Sequence, residues 1–181
     1  MLIAITGTPG TGKTSVAKLL AKKSYNIINL NDFAIEKNCV LSKDKKRDSN
    51  VVDIEKLNDY FKQFKTEEIV FLDGHLSHLI SKVDKVILLR CNPNKLKKNL
   101  EKKNWKKEKI NENLQAEILD VILLESLEIH KEKDIFEIDT TDLLVNGVYD
   151  SILEIIKNGF KNIKKYKIGK IDWSEEILNY F

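Results

Sequence analysis

Short apolar blocks alternate with longer stretches in which apolar residues recur every three or four positions. Residues 2–6 form an apolar run followed directly by a glycine-rich turn, which predicts a buried strand. Residues 13–23 then carry Val16, Leu19 and Leu20 at helical spacing. Residues 27–30 read as a second strand, and Asn31 or Asp32 can cap a helix running to residue 37. Residues 43–50, KDKKRDSN, read as a mobile loop. Residues 53–64 place Ile54, Leu57, Phe61 and Phe64 on one helical face. Strands follow at 68–73, 85–89 and 135–138. Helices are predicted at 94–103, at 111–129 as one long element, and at 142–157. Strands alternating with helices predict an α/β fold, a five-stranded parallel sheet covered by helices on both faces. The tail, residues 158–181, reads as an extension with a short helix capped by Ser174.

The chain has 181 residues, which fits one domain, and 42% apolar content is enough for one core. Net charge is only +3, from 31 basic and 28 acidic residues, so composition does not require a polyanionic partner. Lysines nevertheless crowd residues 95–109 and 157–170. Cys39 and Cys91 have no metal-ligand spacing and read as buried or free thiols of a reducing cytosol. No apolar run approaches membrane length, so a soluble cytoplasmic protein without a membrane partner is expected.

The chemistry starts at Gly7. The string GTPGTGKT, residues 7–14, fits G-x-x-x-x-G-K-[ST] between a strand and an amphipathic helix. Gly7, Gly10 and Gly12 permit backbone angles that let successive N–H groups converge on phosphate oxygens, Thr11 lies inside that loop, and the helix N-terminus points at the same anion. Lys13 would bridge the β- and γ-phosphates of ATP, Thr14 would offer a hydroxyl to Mg²⁺, and Ser15 would reach a further phosphate. Asp73 ends an apolar strand, where a second magnesium-holding carboxylate belongs. His75, two residues on, either orients a water or relays a proton, or makes a structural bond to the phosphate loop. His75 and His78 as a metal pair lack a third ligand. His130 receives no role.

A guanine-specific switch would carry an Asn-Lys-x-Asp string, which is absent. Two segments instead suit a kinase. Residues 29–52 would bind an acceptor; there Arg47, one of two arginines, either grips an acceptor phosphate or is a solvated loop charge. Asp32, inside that segment, and Asp53, just past it, are acceptor-side candidates that read as helix caps rather than catalytic groups. Residues 102–111, with Lys103 and Trp105, would form a short lid over ATP.

Four strings carry a resemblance to a family: Gly7 to Ser15; Asp73-Gly74-His75; Arg47-Asp48-Ser49 to Val52-Asp53; and the run from Leu96 through Lys103-Asn104-Trp105 into Glu112-Asn113-Leu114-Gln115-Ala116-Glu117-Ile118. Together they resemble the small adenylate kinases of the isoenzyme 6 type, found in archaea and eukaryotes. The resemblance implies a P-loop kinase domain over residues 1–157, transfer of the γ-phosphoryl of Mg·ATP to AMP, and an ATPase activity associated with Asp73 and His75. It also implies a role in small ribosomal subunit maturation, with a ribosomal protein and pre-ribosomal RNA as partners. Where the family has a lid arginine before a Gly-aromatic pair, this chain has Lys103-Asn104-Trp105. Lysine lacks the two-pronged grip, so slower transfer is expected unless Lys102, Lys106 or Arg90 compensates. Two rivals stand beside this reading: an ATP-driven assembly factor whose kinase activity is incidental, and a kinase for another small nucleotide.

Overall fold

The computed structural model describes residues 1–44, 49–161 and 163–180. Five strands form one parallel sheet: β1 (Leu2–Gly7), β2 (Asn26–Asn29), β5 (Val70–Asp73), β6 (Lys85–Arg90) and β7 (Ile135–Asp139), in the order β2-β5-β1-β6-β7. A central parallel strand is covered on both faces, which is why β1 is buried along its whole length and reads as an unbroken apolar run. Its side chains alternate between two cores. Leu2 and Ala4 join Leu72, Val86 and Leu88 under α2 (Leu30–Glu36), α3 (Ile54–Lys62) and α6 (Val121–Ile129). Ile3 and Ile5 join Phe71, Ile87 and Leu89 under α1 (Lys13–Lys22) and α7 (Val145–Lys157). A third cluster, with Leu96, Leu100, Ile110 and Leu114, binds α4 (Pro93–Glu101) to α5 (Lys107–Ile118). Cys39 and Cys91 are both buried thiols.

Four local expectations need correction. Residues 43–50 are not simply a loop: β3 (Val40–Asp44) and β4 (Ser49–Val52) pair as an antiparallel hairpin, with Asp44 opposite Ser49. A strand here has one weakly covered face, so periodicity gives little warning. Residues 45–48, including Arg47, lie outside the described residues. The cap of α2 is Asn29, whose side chain accepts from the Asp32 N–H at 3.1 Å, rather than Asn31 or Asp32, and Leu30 is already helical.

The expected helix 111–129 is broken at Asp120, which adopts a left-handed conformation at φ 56° between α5 and α6. There its carboxylate meets the buried guanidinium of Arg90. An ion pair to a distant strand leaves no trace in local apolar spacing. The tail turns at residues 174–176 with the Asp172 side chain, not Ser174, accepting the turn's N–H at 2.8 Å. It then ends in α8 (Ile177–Tyr180). This segment packs closely on the rest of the chain: Tyr166 is buried, Phe160 meets Phe136 edge-on at 5.9 Å, and Gln115 donates to the Tyr180 carbonyl.

Candidate active site

The glycine-rich loop leaves the sheet at Gly7, the last residue of β1. Gly7 has φ 138°, and a Cβ there would sit 2.3 Å from the Leu89 carbonyl oxygen, so only glycine lets the loop lie this close to β6. Gly12, at φ 101°, is the N-cap of α1 and supplies no side-chain cap. The N–H groups of Lys13 and Thr14, the first two of α1, therefore lie at the cleft without an internal partner, while that of Ser15 donates to the Gly12 carbonyl at 3.0 Å, and the positive end of the helix dipole points the same way. Three side chains fix the loop from behind. Thr11 donates to the Thr8 carbonyl at 2.9 Å, Thr140 to the Thr11 carbonyl at 3.1 Å, and Asn99 to the Gly10 carbonyl at 3.1 Å. Thr11 is thus buried and holds the loop, while Gly10, Gly12, Lys13, Thr14 and Ser15 line the cleft.

Lys13 is only 8% exposed, and its ammonium donates to the carbonyls of Gly7 at 2.6 Å and Thr8 at 3.0 Å. Burial pulls its pKa down to about 8; the Asp73 carboxylate opposes that fall and the Lys103 ammonium adds to it. Asp73 lies at the end of β5 in register with Ile5, two residues before the loop begins. Its carboxyl is buried and pushed above the ordinary range by desolvation, with Lys13 pulling it back. Among the described residues, its Oδ1 is a buried side-chain oxygen without a hydrogen-bond partner. A buried oxygen facing no donor fits a cation or a cation-bound water. Thr14 lines the same cleft, so a hydroxyl and a carboxylate could share a divalent ion there.

His75 forms part of the wall. Burial, then the charges of Lys13, His78 and Lys109, drive its imidazole pKa down to about 4. It is neutral at physiological pH, a hydrogen-bonding group rather than a cation. His78 belongs elsewhere: its ring bridges Thr6 and Glu125, each at 2.9 Å. His130, for which the sequence offered no role, donates to the His78 carbonyl at 2.7 Å. Among the described residues no group of three or more His, Cys, Asp or Glu side chains is placed to hold a metal.

The cleft encloses about 830 Å³. One wall is the α4–α5 connection, with Lys103 and Trp105, continued by Lys109 of α5; the Trp105 ring lies 5.3 Å from the Lys103 ammonium and 4.1 Å from that of Lys109. Another wall comes from Asn29, Asn31, Lys43, Ser49 and Asn50. Asp32 is exposed and does not line the cleft, but its charge raises the Asp73 pKa. Asp53 does not line the cleft; its carboxylate caps α3 by accepting from the Lys56 N–H at 2.9 Å. Arg90 cannot stand in for a lid arginine. It is 2% exposed and enclosed by Glu117, Asp120 and Glu137. Sequence reasoning gave no role to Asn99, to Thr140 or to Glu117, although Glu117 stands in one of the strings that carry the resemblance. Only Glu117 left a signal, as an acidic residue inside the apolar spacing of α5.

Comparison with known proteins follows the same lines. The family described as AAA domain matches residues 3–120. A protein of Pyrococcus abyssi named "Putative adenylate kinase" is 42% identical over 99% of this chain and 97% of its own length. One of the same name from Archaeoglobus fulgidus is 44% identical over 98% and 94%. The structure of deoxyadenosine kinase from M. mycoides superposes with a TM-score of 0.54 at 19% identity, covering 87% of this chain and 99% of that one, and shares the fold. Among the described residues no helix is long and apolar enough to cross a membrane. At 42% and 44% identity over nearly the whole length of both chains, the chain belongs to the family of these archaeal putative adenylate kinases.

Proposed function

We propose that the chain transfers the γ-phosphoryl group of Mg·ATP to AMP, giving two ADP. The observation that carries this reading is a buried ammonium, Lys13, coupled electrostatically to a buried carboxylate with one unbonded oxygen, Asp73, at the foot of a cleft with two flanking segments. In this reading residues 1–157 carry the catalytic fold, with 102–111 as the lid and 158–181 as an extension. Gly7, Gly10 and Gly12 shape the cradle, the α1 N-terminus and Ser15 receive phosphate oxygens, and Thr14 and Asp73 hold Mg²⁺. Bound there, the ion would supply charge neutralisation to the phosphates. Lys13 exchanges its two carbonyl partners for phosphate oxygens, and Lys103 approaches the transferring group from the lid. Asn29, Asn31, Ser49 and Asn50 form the acceptor side of the cleft, and Arg47 and Asp32 are the acceptor-binding candidates of the same stretch of sequence. Transfer then depends on alignment and charge rather than on covalent catalysis. An acceptor screen tests it: ADP formation from ATP should accelerate with AMP and far less with CMP, UMP or dTMP. Acceleration by none of them contradicts transfer.

Hydrolysis of ATP is proposed as a second activity, supported by the neutral His75 on the cleft wall, which can orient a water without competing for the anion. Replacing His75 with alanine should lower AMP-independent ATP hydrolysis by about tenfold or more while transfer to AMP changes less than about threefold. Equal losses in both assays would make His75 structural. The family resemblance extends the proposal to maturation of the small ribosomal subunit, with a ribosomal protein or pre-ribosomal RNA released on hydrolysis. Pull-down with and without ATP tests that part, and an ATP-insensitive partner contradicts it.

The Lys13 ammonium also makes affinity depend on pH. Burial lowers its pKa to about 8, and adjacent phosphates would raise it. Affinity for Mg·ATP should therefore be full below pH 8 and fall as pH rises further, by at most about tenfold per unit. Calorimetric titration between pH 7 and 9.5 measures it, with net proton uptake on binding near pH 8.5. A flat profile contradicts the placement of Lys13 on the phosphates.

A further inference from the structure

The phosphate loop has one tie that the proposed chemistry does not use. Thr8 is 1% exposed, and its hydroxyl donates to Glu117 Oε2 at 2.5 Å, the short range of a hydroxyl bonded to a carboxylate. The Thr8 carbonyl is at the same time an acceptor for Lys13 Nζ and for the Thr11 hydroxyl. Fixing the hydroxyl end of Thr8 therefore fixes the carbonyl that sets where the ammonium rests.

Glu117, itself 2% exposed, is held on every side. Its Oε1 accepts from Arg90 Nε at 2.8 Å, from the Cys91 N–H at 3.1 Å and from Trp173 Nε1 at 3.4 Å. Arg90 is locked in turn by Glu137 at 2.7 Å and by Asp120. Glu137 accepts the Gly169 N–H at 2.8 Å. Two of these contacts, Trp173 and Gly169, come from the C-terminal segment, 56 and 32 residues away from their carboxylates. The same segment is fastened to both helices that carry the lid: Asn94 donates to Glu176 at 2.7 Å, the Tyr180 hydroxyl donates to Asn94 at 2.9 Å, and Gln115 donates to the Tyr180 carbonyl at 3.2 Å.

We infer that Glu117 is a positioning residue for the phosphate loop, acting on Lys13 through Thr8, and that the C-terminal segment completes the polar cage that holds it. Arg90 is the keystone of that cage, and the lid helices and the loop share one rigid support. This inference rests on the phosphoryl-transfer reading. It adds a cause for the position of Lys13 and a task for residues 158–180.

A double-mutant cycle on the full chain tests it. Thr8→Val removes the hydroxyl and keeps every partner of Arg90, so it should fold even if Glu117→Gln does not. Each single change should lower kcat by about tenfold, with KM for Mg·ATP changing less than about threefold, because a displaced ammonium weakens transition-state contacts most. The double variant should lose no more than either single one, since both act through one bond. Trp173→Phe, which keeps the ring and removes its N–H, should lower kcat by about two- to threefold. An unchanged kcat in Thr8→Val, or additive losses, overturns the positioning role; an unchanged kcat in Trp173→Phe overturns the part given to the tail. A wild-type chain that binds Mg·ATP but transfers nothing to AMP contradicts the kinase reading alone. The same cycle read in the rate of AMP-independent ATP hydrolysis, with tenfold losses that do not add, then decides the inference.

Discussion

Replacing Lys13 with alanine is expected to lower kcat/KM for transfer by about 10²–10³-fold, the cost of removing one preorganised charge from a water-poor site. The ammonium lies at the start of α1, where the Lys13 and Thr14 N–H groups have no internal partner, and it bonds two loop carbonyls that a phosphate can replace. The fold should survive the change. Burial already disfavours the charged form of Lys13, as its lowered pKa of about 8 shows, so deletion removes a desolvation cost along with two hydrogen bonds. Asp73 would lose the charge that restrains it, and its carboxyl pKa would rise further. Lys13→Arg should not rescue, because the larger fork must fit where one compact ammonium touches Gly7 and Thr8. Steady-state kinetics beside a thermal melt check both halves. An inactive, folded variant agrees with the account, and a folded variant with near-normal kinetics contradicts it.

The second large effect is on stability. Arg90→Ala should destabilise the chain by about 3–5 kcal/mol, because it leaves buried carboxylates without their counter-charge. Glu117 and Glu137 are each 2% exposed, and both bond the guanidinium, Asp120 joining them from the turn between α5 and α6. At this chain length the loss corresponds to a fall in Tm of roughly 10 °C or more. Lysine should recover little, since one ammonium cannot span three carboxylates.

The pH dependence has a definite sign. Burial already raises the Glu137 pKa, and Arg90 pulls it back. Without Arg90 the folded pKa rises further, so the variant's deficit is largest well above that pKa. It shrinks as pH falls through it and the carboxyl protonates. Urea titrations of both proteins at pH 5 and pH 8 measure this. Equal losses at the two values would contradict the assigned cause.

The sheet was legible because β1, β5 and β6 are buried on both faces and therefore appear as plain apolar runs between helical stretches. The loop was legible because Gly7, Gly12 and Lys13 are constrained by backbone geometry and charge that few other residues supply. Asp73 followed from its place at a strand end. What escaped prediction depends on long-range pairing. The break at Asp120 exists because Arg90, thirty residues earlier, needs a third carboxylate. The role of Thr140 behind the loop requires knowing that β7 ends beside Thr11. The tail read as an extension because its polar anchors, Trp173 and Gly169, meet partners that periodicity cannot locate. The hairpin was hidden by its polarity, since KDKKRDSN offers no alternating apolar face.

Direct titration of the folded chain with Mg·ATP bears most closely on the central assignment of residues 7–14 as the triphosphate cradle. One nucleotide should bind per chain with release of heat, and Lys13→Ala should weaken that binding by at least about tenfold while the melt stays cooperative. Absence of binding by the wild-type chain, or equal affinity in the two proteins, would contradict it.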